Sequence, residues 1–145
     1  MDTFKTIKAK AEGTYTEKRS KFLAFAFPVK SADEVKSHVA EIQKKYYDAR
    51  HVCYAYMIGP EREVFRANDN GEPSGTAGKP ILGQINSYEL TDILIVVVRY
   101  FGGIKLGTGG LVKAYGDSVK LVLDGAVTEE LVDEAIAKGC DLIAS

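Results

Sequence analysis

The chain contains one continuous apolar stretch, ILIVVV at Ile93–Val98, in which every residue except Leu94 is β-branched. Such residues favour extended backbone, and an apolar run without polar alternation is typical of a central strand covered on both faces. A glycine-rich segment, RYFGGIKLGTGG at residues 99–110, follows directly and leads into apolar residues at helical spacing. These features predict a buried central strand that runs through a loop into a helix.

Four further strands are predicted from apolar residues that alternate with polar ones or form short runs. They span residues 7–11, 22–29, 51–58 and 64–65. Gly13 is expected to end the first strand. The turn signal Gly59-Pro60 predicts that the last two strands pair as a hairpin.

Helices are predicted from apolar residues at spacings of three and four. They span residues 32–47, a short segment that begins with Pro80, the segment after Gly110, and residues 129–138. Ser31 and Glu34 form a capping box before the first helix, and Thr128 is placed to cap the last. Strands and helices together predict an α+β fold.

The composition is that of an ordinary globular protein, with 46% apolar and 27% charged residues over a length of 145. The N-terminus lacks the apolar region of a signal peptide, and the longest apolar run is too short to cross a bilayer. A cytoplasmic protein without membrane contact is therefore expected. Cys53 and Cys140 are isolated, which favours two buried thiols over a disulfide or a zinc site.

The net charge of −1 conceals an asymmetry between two parts of the chain. Residues 127–145 carry five acids and one lysine, a charge of −4, so residues 1–126 carry +3. We therefore expect a mildly basic domain at 1–126 and an acidic helix or tail of uncertain origin at 127–145. A mildly basic domain is compatible with a nucleic-acid or ribosomal partner, although the charge alone does not decide the function.

Two glycine-rich loops, near residues 68–79 and 102–110, are each predicted to lead into the N-terminus of a helix. Backbone N–H groups there have no intrahelical partner and attract anions, and glycine lets a ligand approach them closely. The first-loop candidates are Gly71, Glu72, Pro73, Ser74, Gly75, Thr76 and Gly78. The anion-binding candidates are Lys79, Arg99, Tyr100, Phe101, Gly102, Gly103, Lys105, Gly107, Gly109, Gly110 and Lys113. Alternatively, these glycines serve only tight turns and close packing.

A catalytic site is an alternative use of the first loop. Ser74 or Thr76 as nucleophile, His51 as base, and Asp69 or Glu72 as the group that orients the base would supply the parts of an acyl-transfer site. The chain lacks a Gly-x-Ser-x-Gly elbow, and neither loop matches a Walker A or dinucleotide-binding motif. The two carboxylates could hold a magnesium ion, but on such a loop they more often cap backbone N–H groups. No metal and no cofactor is predicted.

The motifs at both loops resemble those of the YigZ/IMPACT (imprinted ancient) family, N-terminal domain. The resemblance rests on RSKF at residues 19–22, His51 with YAY at 54–56, GEPSGTAGKPIL at 71–82, VVRYFGG at 97–103, and the segment from Leu106 to Tyr115. It implies the ribosomal protein S5 domain 2-like fold, a mixed or antiparallel sheet with helices packed on one face. An Asp-Asp pair commonly precedes Gly-Glu-Pro-Ser-Gly in this family, and Asn70 replaces its second member here.

The resemblance also implies a role in translation. The eukaryotic relatives regulate translation through protein contacts rather than catalysis, and nucleic-acid or ribosome binding is conjectured for the bacterial ones. We therefore expect a translation-linked binding protein that contacts RNA, the ribosome or a ribosome-associated protein through the two loops. The alternative is a small hydrolase or nucleotide-binding enzyme that uses Asp69, Glu72, Ser74 and Thr76. The oligomeric state stays open.

Overall fold

The computed structural model describes residues 3–132. The strands are β1 (Thr3–Ile7), β2 (Ala11–Glu17), β3 (Ser20–Pro28), β4 (His51–Ile58), β5 (Val64–Asn68), β6 (Ile93–Tyr100) and β7 (Thr128–Val132). The helices are α1 (Ala32–Lys45), α2 (Gly78–Ser87) and α3 (Gly107–Gly125). Within this part of the chain, no helix is long and apolar enough to cross a membrane.

The strand β6 lies at the centre of a five-stranded sheet with the order β2-β3-β6-β4-β5. All four strand pairs in this sheet are antiparallel. Every residue from Ile93 to Val98 is completely buried, as the apolar run predicted. The α+β fold with an antiparallel sheet is therefore confirmed.

The two faces of the sheet are covered by different helices. Alternate residues of β6 divide between two hydrophobic clusters, with Ile95 and Val97 in one cluster and Leu94 and Val96 in the other. The first cluster includes apolar residues of α2 and α3, and the second includes those of α1. The expectation that the helices pack on one face is therefore corrected for α1. A central strand that is apolar on both sides needs cover on both sides.

The capping signals explain where α1 begins. The Ser31 hydroxyl accepts a hydrogen bond from Glu34 N at 3.2 Å, as the capping box predicted. The Glu34 carboxylate accepts from Lys30 N at 2.5 Å rather than from the backbone of Ser31.

The helix α2 begins at Gly78, two residues before the start predicted from Pro80.

The predicted strand over residues 7–11 is wrong in its boundaries. The chain forms β1 up to Ile7, breaks, and continues as β2 from Ala11, which pairs with β3 along its whole length. Gly13 lies inside β2 and does not end a strand. The helix α3 packs on this position, where an added Cβ would lie 3.3 Å from Val122 Cγ2.

The helix predicted over residues 129–138 is also wrong in its described part. Residues 128–132 form the strand β7, which pairs antiparallel with β1 from Thr3↔Val132 to Ile7↔Thr128. Lys8 N also donates a hydrogen bond to Val127 O at 2.9 Å. Pairing with β1 overrides the helical pattern of these residues. The rest of that predicted helix, and Cys140, lie outside the described residues.

Candidate functional site at the two glycine-rich loops

The two loops meet in one cleft at the carboxyl end of β6. The cleft has a volume of about 360 Å³. The first loop contributes Glu72 and Pro73, and the second contributes Phe101, Lys105 and the first residues of α3. Arg50 and His51, where β4 begins, complete the wall. Both glycine-rich loops therefore border the same cleft.

The floor of the cleft contains a buried ion pair. Arg99 Nη1 donates hydrogen bonds to both carboxylate oxygens of Glu72, at 3.0 and 2.9 Å. The Tyr115 hydroxyl donates to Glu72 Oε2 at 2.5 Å, and Arg99 Nη2 donates to Ser20 Oγ at 3.3 Å. The side chains of Arg99 and Glu72 are only 7% and 3% exposed. These bonds join the first loop to β6 and α3, and they join β6 to β3 through Arg99 and Ser20.

Two weakly acidic groups lie beside this ion pair. The Cys53 thiol donates to Asp69 O at 2.9 Å and lies 3.5 Å from the Tyr115 hydroxyl oxygen. Burial raises the pKa of Cys53 to about 12. Burial, followed by the neighbouring Cys53 and Glu72, also raises the pKa of Tyr115. Both groups therefore stay protonated and neutral near pH 7.

In the first loop, a carboxylate of the chain itself occupies the N-terminus of α2. Asp69 accepts hydrogen bonds from Gly75 N, Ala77 N and Gly78 N, at 2.9, 3.1 and 2.8 Å. Burial alone would raise the pKa of Asp69, but the three N–H donors lower it below its usual value. The capping alternative is thus confirmed for Asp69, and these amide groups are not open to a ligand.

Two glycines allow close approaches between backbone segments. A Cβ at Gly102 would lie 2.0 Å from Arg19 O, and a Cβ at Gly78 would lie 2.6 Å from Asn68 N. Contacts this short leave no room for a side chain. The packing alternative is therefore confirmed at these two glycines, because the chain itself fills the space beside them.

The second loop leaves the N-terminus of α3 open. Within residues 3–132, no side chain accepts a hydrogen bond from the first-turn N–H groups of this helix, and Gly107 and Thr108 in that turn line the cleft. An added Cβ at Gly103, Gly107 or Gly109 would meet no atom of the described residues within 4 Å. Residues 93–116 contain no Asp or Glu that could act as Asp69 does. Within residues 3–132, neither Arg50 nor Lys105 forms an ion pair.

Several anion-binding candidates are paired with other side chains or lie outside the cleft. Arg99 supplies no mobile charge at a rim, because it is buried and paired with Glu72. Tyr100 packs with the cluster on the α1 face and donates its hydroxyl hydrogen to Asp48 at 2.8 Å. Lys113 is paired with Asp117 at 2.6 Å. Lys79 is exposed on α2 but does not line the cleft.

The catalytic candidates are held in other contacts. Both ring nitrogens of His51 face chain atoms: Nδ1 lies 2.9 Å from Asn70 O, and Nε2 lies 3.4 Å from Glu72 Oε1. The Thr76 hydroxyl donates to Pro73 O at 2.5 Å. Ser74 is exposed, and no hydrogen bond joins it to His51 among the described residues. In the same part of the chain, no three His, Cys, Asp or Glu side chains are grouped to bind a metal ion.

Sequence reasoning missed three residues of this region: Arg50, Ser20 and the polar role of Tyr115. A tyrosine on the inward face of a helix requires a hydrogen-bond partner, and this signal could have identified Tyr115. Arg50 precedes a residue that had been singled out, but its place at the cleft depends on the pairing of β4 with β6. Nothing in the sequence indicates that Ser20 contacts Arg99 across 79 positions.

Fold and site together define a class, a small α+β domain in which an antiparallel sheet carries a cleft between two glycine-rich loops. Residues 18–123 match the profile of the Impact N-terminal domain. The chain therefore belongs to the IMPACT N-terminal domain family, as its motifs predicted.

Individual relatives agree with this assignment. The chain is 40% identical over 134 residues to the IMPACT family member YvyE of Bacillus subtilis (strain 168), covering 91% of this chain and 62% of YvyE. A crystal structure described as a hypothetical protein superposes with a TM-score of 0.86 at 37% identity, over 90% of this chain and 64% of that one.

A more distant structure shares the fold alone. It is the two-domain translational regulator Yih1, with a TM-score of 0.52 at 23% identity, over 80% of this chain and 46% of Yih1. The chain thus spans less than two thirds of the length of each of these three relatives.

Proposed function

We propose that this domain is part of a translation-linked regulator that contacts RNA, the ribosome or a ribosome-associated protein through the cleft between the two loops. The fold that the chain shares with Yih1, a translational regulator, supports the link to translation. Among these partners, RNA fits the charges of the cleft best.

One observation carries the proposal. The cleft combines two exposed cations, Arg50 and Lys105, with the uncapped N-terminus of α3. The buried acid of the floor, Glu72, is neutralised by Arg99 and therefore does not repel an anion strongly. Cations beside unpaired backbone N–H groups are a common arrangement for binding phosphate.

The contacts of the candidate catalytic residues argue against the hydrolase alternative. Asp69 is occupied by three backbone donors, and Glu72 is paired with Arg99. His51 has no ring nitrogen free to activate a hydroxyl group, because both face chain atoms. A binding role requires none of these groups to be free.

Fluorescence anisotropy with a labelled single-stranded RNA, measured over a series of salt concentrations, tests the proposal. Binding should weaken steeply as salt rises, and Lys105→Ala and Arg50→Ala should each lower the slope by about 0.7 per lost phosphate contact. Lys44→Ala on α1, an exposed lysine on the other side of the sheet, is the matched control and should behave like the wild type.

Co-sedimentation with purified ribosomes then tests the link to translation. The wild type and Lys44→Ala should co-sediment at low salt, and the double variant Arg50→Ala/Lys105→Ala should not. Absence of both RNA binding and ribosome binding at low salt would contradict the proposal. Equal binding by the double variant would place the contact elsewhere on the surface.

A further inference from the structure

We propose that the cleft accepts one unpaired nucleotide of an RNA strand, with its base against the exposed face of Phe101 and its phosphate near Lys105 and Arg50. This inference rests on the proposed function and specifies it further. It requires that the domain prefer single-stranded RNA over a duplex. The observations that support it are the shape of the cleft, the exposure of an aromatic ring and the position of unpaired donors.

The size of the cleft fits one small unit. Its volume of about 360 Å³ is near the lower end of the ~300–1,000 Å³ range of small-molecule sites. A duplex keeps its bases stacked inside and presents phosphates outside, so it cannot place a base in such a cleft. An unpaired nucleotide exposes both a flat base and a phosphate. The cleft should therefore distinguish the two forms of RNA.

Phe101 provides a surface for stacking. It is 41% exposed although it lies next to the buried end of β6, and it lines the cleft. The Arg99 guanidinium carbon lies 5.7 Å from the centre of the ring, an arrangement that helps to hold the ring in place. Exposed aromatic rings beside cations are the usual platforms for the bases of single strands.

The polar part of the cleft offers donors for a phosphate or a base edge. Lys105 and Arg50 lie on the same cleft as Gly107 and Thr108 at the uncapped start of α3. At the floor, Arg99 is nine-tenths buried, and its Nε has no hydrogen-bond partner among the described residues. That Nε atom is itself buried, so the donors open to a ligand are those of Arg50, Lys105 and the start of α3.

An acidic peptide is the main competing ligand, because the same cations would attract it. A peptide of acidic residues, however, would use neither the flat face of Phe101 nor the apolar walls formed by Leu106 and Leu111. A nucleotide can contact the apolar surface with its base and the cations with its phosphate. The observations therefore favour a nucleotide, and the peptide is an outcome that the experiment can reveal.

The test compares three labelled probes by fluorescence anisotropy: an eight-nucleotide single-stranded RNA, a duplex of the same length and a poly-glutamate peptide. A second readout uses the same single strand with 2-aminopurine at its centre, because stacking on an aromatic ring quenches its fluorescence. The wild type should bind the single strand about tenfold or more tightly than the duplex, and binding should quench the probe.

Phe101→Leu keeps an apolar side chain but removes the stacking surface, so it should weaken single-strand binding roughly 5- to 100-fold and abolish the quenching. Phe101→Tyr should retain both. Phe65→Leu is the matched control, because Phe65 is 59% exposed on β5 and does not line the cleft. The melting temperature of each variant shows that it is folded.

The outcomes separate this inference from the proposed function. If Lys105→Ala weakens RNA binding but Phe101→Leu does not, the cleft contacts only the backbone, so the nucleotide inference fails while the proposed function stands. Equal affinity for single strand and duplex overturns the inference in the same way. If only the acidic peptide binds, and Lys105→Ala abolishes that binding, both the nucleotide inference and the RNA version of the function fail.

Discussion

Both loops are rich in glycine and lead into a helix, but the N–H groups at the start of the two helices differ in their hydrogen bonding. The first loop satisfies its own helix N-terminus, because Asp69 accepts hydrogen bonds from three backbone N–H groups. The second loop leads into α3, whose first N–H groups have no side-chain acceptor among the residues that the structure describes. The difference follows from the acids: the first loop contains Asp69 and Glu72, and residues 93–116 contain none.

This comparison shows that glycine content alone does not identify an anion site. A loop that supplies its own carboxylate uses its N–H groups for stability, whereas a loop without an acid leaves them for a partner. The first loop is therefore a structural part of the cleft, and the second is the part to which the proposed function assigns the ligand. Substitutions should separate these two roles.

The largest effect is expected at Glu72 in the first loop. Glu72→Ala leaves Arg99 as an unpaired buried charge, which should lower the free energy of unfolding by about 3–5 kcal/mol. Urea unfolding followed by circular dichroism measures this change. The double variant Glu72→Leu/Arg99→Met removes both charges and should recover most of the loss. A loss below 1 kcal/mol for Glu72→Ala would show that the first loop is not fastened by this pair.

The next largest effect is expected at Gly102, where the start of the second loop packs against the backbone of Arg19. Gly102→Ala places a Cβ against Arg19 O, so the β2–β3 turn and the loop must move apart at a cost of about 1–3 kcal/mol. Gly109→Ala is the matched control, because its Cβ meets nothing within 4 Å and alanine favours helix. Thermal unfolding should show a lower melting temperature for the first variant and an equal or higher one for the second. The reverse order would contradict the described packing.

A smaller effect, dependent on pH, is expected at Asp69. Asp69→Asn weakens the cap on α2 and should cost about 1 kcal/mol at pH 7. The lowered pKa of Asp69 means that its charge stabilises the fold above its unfolded-state pKa and that this contribution is lost as the pH falls through the folded-state value. The wild type and the variant should therefore converge in stability below about pH 4. A constant difference between pH 7 and pH 3 would exclude this role for the carboxylate.

The smallest effect on stability is expected at Lys105. Lys105→Ala removes an exposed side chain without an ion pair in the described region, so the free energy of unfolding should change by less than about 0.5 kcal/mol. The same variant should weaken binding of single-stranded RNA at low salt. A variant that loses stability but keeps its affinity would reverse the roles assigned to the two loops.

The sequence predicted much of this fold because local patterns agree with tertiary packing along β3, β4, β5, β6 and α1. It failed where a distant partner decides the structure. Residues 128–132 follow a helical pattern but pair with β1 more than 120 positions away, and Gly13 lies inside a strand because β2 pairs with β3.

For the site, the sequence predicts where the two loops lie along the chain, but it does not predict which of their charged side chains are paired. Lys105 and Phe101 line the cleft, whereas Arg99, an anion-binding candidate from the sequence, is buried and paired with Glu72. The pairing of Arg99 with Glu72 joins residues 27 positions apart and depends on how the first loop folds onto β6. Local patterns contain no information on such contacts. The capping role of Asp69 is among the alternatives that the sequence indicates, because loop carboxylates often bind nearby N–H groups.

The most direct test of the difference between the loops is a titration of the ¹⁵N-labelled protein with single-stranded RNA, followed by NMR. The amide signals of Gly107, Thr108 and Gly109 should shift as RNA is added, and those of Gly75, Ala77 and Gly78 should remain unchanged. Shifts confined to the first loop, with the start of α3 unaffected, would contradict the assignment of the second loop as the open binding surface.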